Sequence, residues 1–330
     1  MLWLGWPVDA IVIRAYGGPE VLEPADLPEP VPGPGEVLVE LAAAGVNFIE
    51  IYQRMGRYQG DLPRVLGGEG AGTVVAVGPG VTSVQVGDHV ASVNFAGSYA
   101  KRAVVAADRV VPVPASVSDE TAAAAMLQGM TAHYLLTDSY RVQPGDTILV
   151  HAAAGGMGLL LTQIATRWLG ARVIGTVSTP EKEALAREAG AAEVIRYGDG
   201  VSVDAAVRSL TGGEGVAAVY DGVGAATFDA SLASLRLRGT LALYGAASGP
   251  VPPFDPQRLS ALGSLFLTRP TLFHYIVTTE ELRARADAVF GWIADGLTIR
   301  VHERYPLAEA WRAHTDLAAR RTTGKLLLIP

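Results

Sequence analysis

The hydrophobic rhythm of the chain changes near residue 118. From Asp9 to Val117, short β-branched runs recur between turn signals: Ala10–Ile13, Val37–Leu41, Gly72–Val77, His89–Val93, Ala103–Val105 and Arg109–Val113. Runs of this length between Gly- and Pro-bearing turns predict strands, and their spacing predicts a barrel-like β domain. Pro28–Gly35 fixes φ and removes backbone donors too often for a helix or a central strand, so it reads as a rigid loop.

Beyond residue 118 the apolar positions take helical spacing. Ser118–Thr137 is an Ala-rich helix that Ser118 or Asp119 can cap. From Thr147, strands at Thr147–Ala152, Arg172–Val177, Glu193–Tyr197, Val216–Tyr220 and Thr240–Tyr244 alternate with helices at Met157–Trp168, Pro180–Ala189, Val203–Leu210 and Phe228–Leu235. The second of these helices carries its own punctuation: Thr179 as N-cap, Pro180 in the first turn and Gly190 as the stop. Such alternation predicts a parallel sheet with helices on both faces. The tail has a helix at Glu280–Gly296, a strand at Thr298–His302, a helix at Leu307–Ala319 and a strand at Lys325–Ile329. It no longer alternates cleanly, which predicts a return to the first domain.

Composition narrows the class. At 330 residues the chain exceeds one ordinary core, so two domains are expected. With 49% hydrophobic and 18% charged residues it is not a disordered chain. No apolar run reaches the ~18 residues a membrane helix needs. The apolar Met1–Pro7 lacks a basic n-region and meets Asp9 early, so it does not read as a signal peptide, and a cytoplasmic location is expected. There is no cysteine, which excludes disulfides, thiolate zinc sites, iron–sulfur clusters and a thiol nucleophile. The six histidines show no metal-ligand spacing. A net charge of −7 without a basic stripe argues against nucleic acid as a partner.

The strongest chemical signal is Ile148–Gly158, ILVHAAAGGMG. A strand runs into a glycine turn that opens a helix, the context a dinucleotide fingerprint requires. Gly155 lets the backbone approach a pyrophosphate, Gly158 lets the helix pack close to the strand, and the helix N-terminus supplies free N–H groups and partial positive charge for the phosphates. Folds that take NAD usually place an acid about 20 residues on, against the ribose hydroxyls. Ser178 stands there instead, with Lys182 in the next helical turn. A hydroxyl does not repel a 2′-phosphate, so NADPH is favoured over NADH. Glu181 and Glu183 flank Lys182 and work against that preference. Tyr197, ending the third strand, borders the same end.

These residues resemble those of the zinc-free medium-chain reductases, the NADPH:quinone oxidoreductases related to zeta-crystallin. The resemblance runs from Ile11 to Pro330. It rests on GGPEVL (17–22), GVNFI (45–49), GGEGAG (67–72), QGMT (128–131), HAAAGGMG (151–158) and TRPTL (268–272). It implies an α/β protein: a discontinuous GroES-like β-rich catalytic domain (1–128 and 272–330) plus a Rossmann NADPH-binding domain (129–271). It also implies a homodimer through the edge strands of two Rossmann sheets, here Ser264–Thr268. The implied cofactor contacts are Asn47 and Tyr52 beside the nicotinamide, Thr131 at the nicotinamide or its ribose, and Gly155, Gly156, Met157 and Gly158 at the pyrophosphate, the last two through backbone N–H groups. Ser178, Lys182, Tyr197 and Arg320 would hold the 2′-phosphoadenosine end. Tyr244, Gly245, Ala246, Ala247, Arg269, Pro270, Thr271 and Leu272 would line the channel. Arg321 is an alternative to Arg320. Gln128 stands where lysine is often found, and Gly222 where some relatives carry serine.

Gly67-Gly-Glu69 replaces the Gly-His-Glu of zinc-dependent relatives, so both types of zinc ligand are missing at their places. Without a Lewis acid, alcohol chemistry is disfavoured. A quinone carbonyl accepts a hydride without that help, given positioning. The expected reaction is metal-free hydride transfer from NADPH to a quinone, with Tyr52 or water as proton source, Asn47 as a hydrogen-bond donor and Tyr58 at the substrate mouth. Single-electron reduction is an open alternative. So is reduction of the activated C=C bond of an enal or enone. A non-catalytic NADPH- or RNA-binding protein is the alternative of another class.

Overall fold

The computed structural model describes residues 8–198 and 200–330; the apolar N-terminal stretch singled out above lies outside them. The chain divides into two compact units. The first runs to Leu127 and includes Thr278–Ala294 and Ile299–Pro330; the second comprises Gln128–Val277 and Asp295–Thr298.

The first unit begins with β1 (Val8–Ile13), β2 (Glu23–Leu27), β3 (Glu36–Val46), α1 (Phe48–Arg54), β4 (Arg64–Val65), β5 (Gly70–Val77), β6 (His89–Ser92), β7 (Arg102–Ala106) and β8 (Val111–Pro112). Helix α2 (Asp119–Tyr134) leads into the second unit. There β9 (Thr147–Val150), α3 (Gly156–Arg167), β10 (Arg172–Val177), α4 (Pro180–Glu188), β11 (Glu193–Arg196), α5 (Val203–Leu210), β12 (Val216–Asp221), α6 (Phe228–Ser234), β13 (Leu235–Leu243), α7 (Gln257–Ala261) and β14 (Phe266–Thr268) follow. The tail adds α8 (Thr279–Ala294), β15 (Val301–Pro306), α9 (Ala310–Ala318) and β16 (Lys325–Ile329).

In the first unit a sheet ordered β15-β16-β3-β5-β6-β8, with β7 also on β3, lies beside the small sheet β2-β1-β4. β3 pairs with β5, β7 and β16, and its run of buried apolar positions fits that central place. Two apolar cores form here: one around Val37, Val39, Val74 and Val105, the other around Ile11, Ile13, Tyr305 and Leu328.

The second unit is one parallel sheet ordered β11-β10-β9-β12-β13-β14. From β9 the chain builds outward through β10 and β11, then returns to add β12, β13 and β14 on the other side. The strand order therefore reverses at β9/β12, the place where open α/β sheets bind ligands. Leu149, Ile174, Val219 and Leu241 are buried in its core.

Several sequence expectations shift. Arg109–Val113 reads as a strand, but only Val111–Pro112 pairs, because Ala107–Arg109 is a 3₁₀ turn and prolines at 112 and 114 donate nothing. Polar β2 escaped notice because it is an exposed edge strand held by β1 alone. Expected Thr298–His302 gives way to β15, starting at Val301, since Gln163 takes both backbone groups of Thr298. That clamp, with Arg167 on the Gly296 carbonyl, keeps 295–298 in the second unit. Residues 272–277 stay there too, with Tyr275 stacked on Tyr134 at 4.2 Å.

Candidate active site

The glycine turn leaves β9 at the strand-order reversal. Ala152 adopts left-handed φ of 51°, and Gly155 N–H closes the turn onto its carbonyl at 2.8 Å. A Cβ on Gly158 would lie 2.4 Å from that oxygen and 2.6 Å from Ala153 Cα, so only glycine lets α3 start this close to the strand. The N-cap of α3 is Gly155, which has no side chain to cap with. The N–H groups of Gly156, Met157 and Gly158 thus lack intrahelical acceptors, at the positive end of the helix dipole. Helix α4 differs: Thr179 Oγ1 accepts from Lys182 N at 3.3 Å. Gln128 packs its amide over the turn, since a Cβ on Gly156 would lie 2.3 Å from Gln128 Oε1. An open helix N-terminus with glycines where a Cβ would intrude fits a pyrophosphate.

Beneath the turn runs a buried relay that the sequence reading did not find. Ser231 Oγ donates to Asp221 Oδ2 at 2.8 Å, and Thr227 Oγ1 to the same oxygen at 2.7 Å. Val223 and Gly224 N–H groups donate to Oδ1 at 2.8 and 3.0 Å. Because Ser231 spends its one proton on Asp221, His151 Nε2 must donate to Ser231 Oγ across 3.0 Å. Nδ1 then accepts from Thr176 Oγ1 at 3.0 Å, and Thr176 Oγ1 accepts from Ala152 N–H at 3.3 Å. Burial holds the His151 pKa below its ordinary value despite Asp221, which keeps the imidazole neutral. The relay ties the glycine turn to the turn after β12. The Tyr244–Ala247 segment is bonded onto that second turn: Tyr244 N and Gly245 N donate to Asp221 O, and Ala247 N to Gly222 O.

At the ends of β10 and β11, Ser178 and Tyr197 are exposed neighbours; Tyr197 N donates to Val177 O at 3.0 Å. Lys182 sits half-buried in the first turn of α4. Its flanking acids are engaged, Glu183 by Arg187 and Arg196, Glu181 by the Thr179 hydroxyl. Thr131 is buried on α2. Arg269–Leu272 follows β14, with Arg269 turned onto the Pro270 carbonyl and Leu272 buried.

The first unit holds Asn47, Tyr52 and Arg320. Asn47 caps α1 and is only 5% exposed. Its carboxamide is committed at both ends: Nδ2 donates to Glu69 Oε2 at 2.8 Å, and Oδ1 accepts from Lys325 Nζ at 2.6 Å. Lys325 also pairs with Glu69, both fully buried, and Leu127 N–H donates to Glu69 Oε1 at 2.6 Å. One Nδ2 proton of Asn47 is left outside these bonds. Glu50 Oε2 accepts from Asn47 N at 2.8 Å, and burial raises its pKa to about 7. Glu69 stood in a quoted motif, but its partner lies 256 residues away, beyond any spacing argument. The Tyr52 ring is half-buried beside Phe48 and Tyr58, with Arg57 5.2 Å over its face. Arg320 follows α9 in left-handed conformation, and Arg321 is engaged by Asp316.

Residues 33–115 match the family model described as alcohol dehydrogenase GroES-like domain, and residues 156–292 the model described as zinc-binding dehydrogenase. The chain is 49% identical to a quinone oxidoreductase of Pseudomonas aeruginosa over 97% of its length and 99% of that protein. It is 41% identical to a 2-haloacrylate reductase of Burkholderia, covering 98% and 99% of the two chains. Among solved structures it resembles the Escherichia coli quinone oxidoreductase complexed with NADPH (TM-score 0.94, 40% identity, 99% and 100% covered). A mycobacterial protein, also complexed with NADPH, gives TM-score 0.95 at 55% identity, with 98% and 100% covered.

Proposed function

The chain belongs to the medium-chain dehydrogenase/reductase family, in its quinone oxidoreductase branch, and from that premise we propose that it reduces quinones at the expense of NADPH. The observation that carries the reading is the open N-terminus of α3 paired with an exposed hydroxyl, Ser178, where a carboxylate would repel a 2′-phosphate. When bound, NADPH supplies the hydride that a quinone carbonyl accepts.

The protein's own part is binding and orientation. Gly155, Gly156, Met157 and Gly158 receive the pyrophosphate through backbone N–H groups and the helix dipole. Ser178, Lys182, Tyr197 and Arg320 hold the 2′-phosphoadenosine end. Thr131, Tyr244–Ala247 and Arg269–Leu272 orient the nicotinamide end. Tyr52 delivers the proton that completes the hydroquinone, and the remaining Asn47 Nδ2–H donates to the acceptor oxygen. No metal is called on, since Gly68 replaces histidine and the chain has no cysteine. We further propose a cytoplasmic homodimer joined at the β14 edge, a reading supported by the exposure of Phe266 (61%) and Leu237 (74%).

A second reading, reduction of an activated C=C bond, is favoured by the likeness to the 2-haloacrylate reductase. Steady-state oxidation of NADPH and NADH with 1,4-benzoquinone, 9,10-phenanthrenequinone and an α,β-unsaturated ketone separates the two. Fast NADPH turnover with a quinone, and much slower with NADH, is the expected result. Turnover with the enone alone would move the assignment to alkene reduction. NADPH binding without turnover of any acceptor would favour a non-catalytic role.

A further inference from the structure

Tyr244 ends β13 with its phenol laid across Gly222. A Cβ on Gly222 would lie 2.8 Å from Tyr244 Cε2 and 2.9 Å from both Cζ and Oη. Gly222 does not adopt left-handed φ, unlike Gly224 (φ 89°), so its backbone would accept an L side chain, and the nearest atoms such a side chain would meet are those of the phenol. The two residues are fixed by backbone: Tyr244 N to Asp221 O at 2.9 Å, and Ala247 N to Gly222 O at 3.2 Å. Three other phenols spend their hydroxyls on protein: Tyr140 on Asp146, Tyr305 on Asp316, Tyr99 with His314. The Tyr244 hydroxyl has no hydrogen-bond partner among the described residues, and its side chain is half-buried. The Tyr220 hydroxyl shares that lack but is sealed inside the sheet, where no ligand reaches it. Burial, reinforced by Asp221 and Tyr134, pushes the Tyr244 pKa well up, so it remains an O–H donor at every physiological pH.

We propose that the Tyr244 hydroxyl is a binding donor for the carboxamide oxygen of the nicotinamide at the carboxyl ends of β12 and β13, and that Gly222 is glycine to make room for it. This rests on the NADPH reading above and deepens it by assigning an atom to a contact. The absent Cβ thus has a function: a side chain at 222 would displace the hydroxyl from the ends of these strands.

Calorimetric titration tests this without turnover, using NADPH and 2′,5′-ADP, which lacks the nicotinamide. Tyr244→Phe keeps the ring and is expected to weaken NADPH binding about five- to tenfold, the worth of one neutral hydrogen bond, with 2′,5′-ADP unchanged. Gly222→Ala, which drives the phenol aside, is expected to weaken NADPH binding similarly. Added to Tyr244→Phe, it should cost little more, because the group it displaces is already gone. Unchanged NADPH affinity in Tyr244→Phe would overturn the inference while leaving the cofactor reading intact. Equal loss for NADPH and 2′,5′-ADP would also overturn it, as general distortion of the site. Additive costs of the two substitutions would remove the role given to Gly222. Failure of the unsubstituted protein to bind NADPH would overturn both readings together.

Discussion

The two units bury polarity in opposite ways. The first takes an opposed charge pair out of water: Lys325 is 1% exposed and Glu69 is fully buried, with Asn47 bonded to both. The second surrounds its fully buried carboxylate, Asp221, with neutral donors: two hydroxyls and two backbone N–H groups. Both arrangements satisfy their polar atoms, but they fail differently. Loss of one ion-pair partner leaves a bare charge in a dry interior. Loss of one of four neutral donors leaves the anion one bond short. The first unit uses ionic bonding to fix Asn47 at the head of α1. The second uses a chain of single protons to fix two turns to each other.

The sharpest way to break this comparison is Lys325→Met. It strands Glu69 beside Asn47, and a loss of about 3–5 kcal/mol is expected from urea denaturation. The double variant with Glu69→Gln should recover most of it, because the buried charge goes with its partner. A single-variant loss below about 1 kcal/mol would mean that water reaches Glu69 and that the pair behaves as a surface one.

That pair also marks where the sequence stopped being informative. Local rules read the second unit well. Thr179, Pro180 and Gly190 punctuate α4 through contacts within a turn or two, and the glycine turn announces itself because Gly155 and Gly158 answer near neighbours. The alternation of strand and helix was legible for the same reason. Lys325 and Glu69 meet only through the pairing of β16 and β5 with β3, as do His151 and Ser231 through neighbouring strand and helix ends, so neither network leaves a spacing signal. Asn47 shows the cost: in sequence it is a polar residue before a helix, open to any ligand, whereas the fold leaves it a single uncommitted proton. Gly222 reads as a lost hydroxyl until Tyr244 is seen occupying its space.

Within the first unit, two buried groups titrate with opposite sign. Glu50 is raised from 4.5 to about 7 by burial, so the folded state holds a proton that the unfolded state has released, and stability falls as pH rises between those values. His314 is lowered from 6.5 to about 3 by burial and by Arg54, with Tyr99 and Arg54 on its two ring nitrogens. Its contribution is complete above 6.5 and is lost as pH falls toward 3. Between 4.5 and 6.5 the two slopes oppose each other. Glu50→Gln should therefore leave stability near the parent value at pH 4.5 and exceed it by roughly 3 kcal/mol at pH 8. Denaturation curves across that range read the difference directly. A difference that does not change with pH would show Glu50 ionised throughout, held by Lys325, and would enlarge the ionic network to a triad.

The smallest expected effect sharpens the other half of the comparison. Ser231→Ala removes the acceptor of His151 Nε2–H and one of the four donors to Asp221, at an expected cost of about 1–3 kcal/mol. Asp221 keeps Thr227, Val223 and Gly224, so the charge is not stranded. The decisive feature is the pH dependence. If His151 is neutral, as its burial dictates, the relay contains no second charge, and the cost should be the same at pH 6 and pH 8. A cost that grows at pH 6 would mean that the imidazole takes up a proton and faces Asp221 through Ser231 as an ion pair. The second unit would then bury polarity as the first one does, and the neutral relay would have to be redrawn as a salt bridge with a serine at its centre.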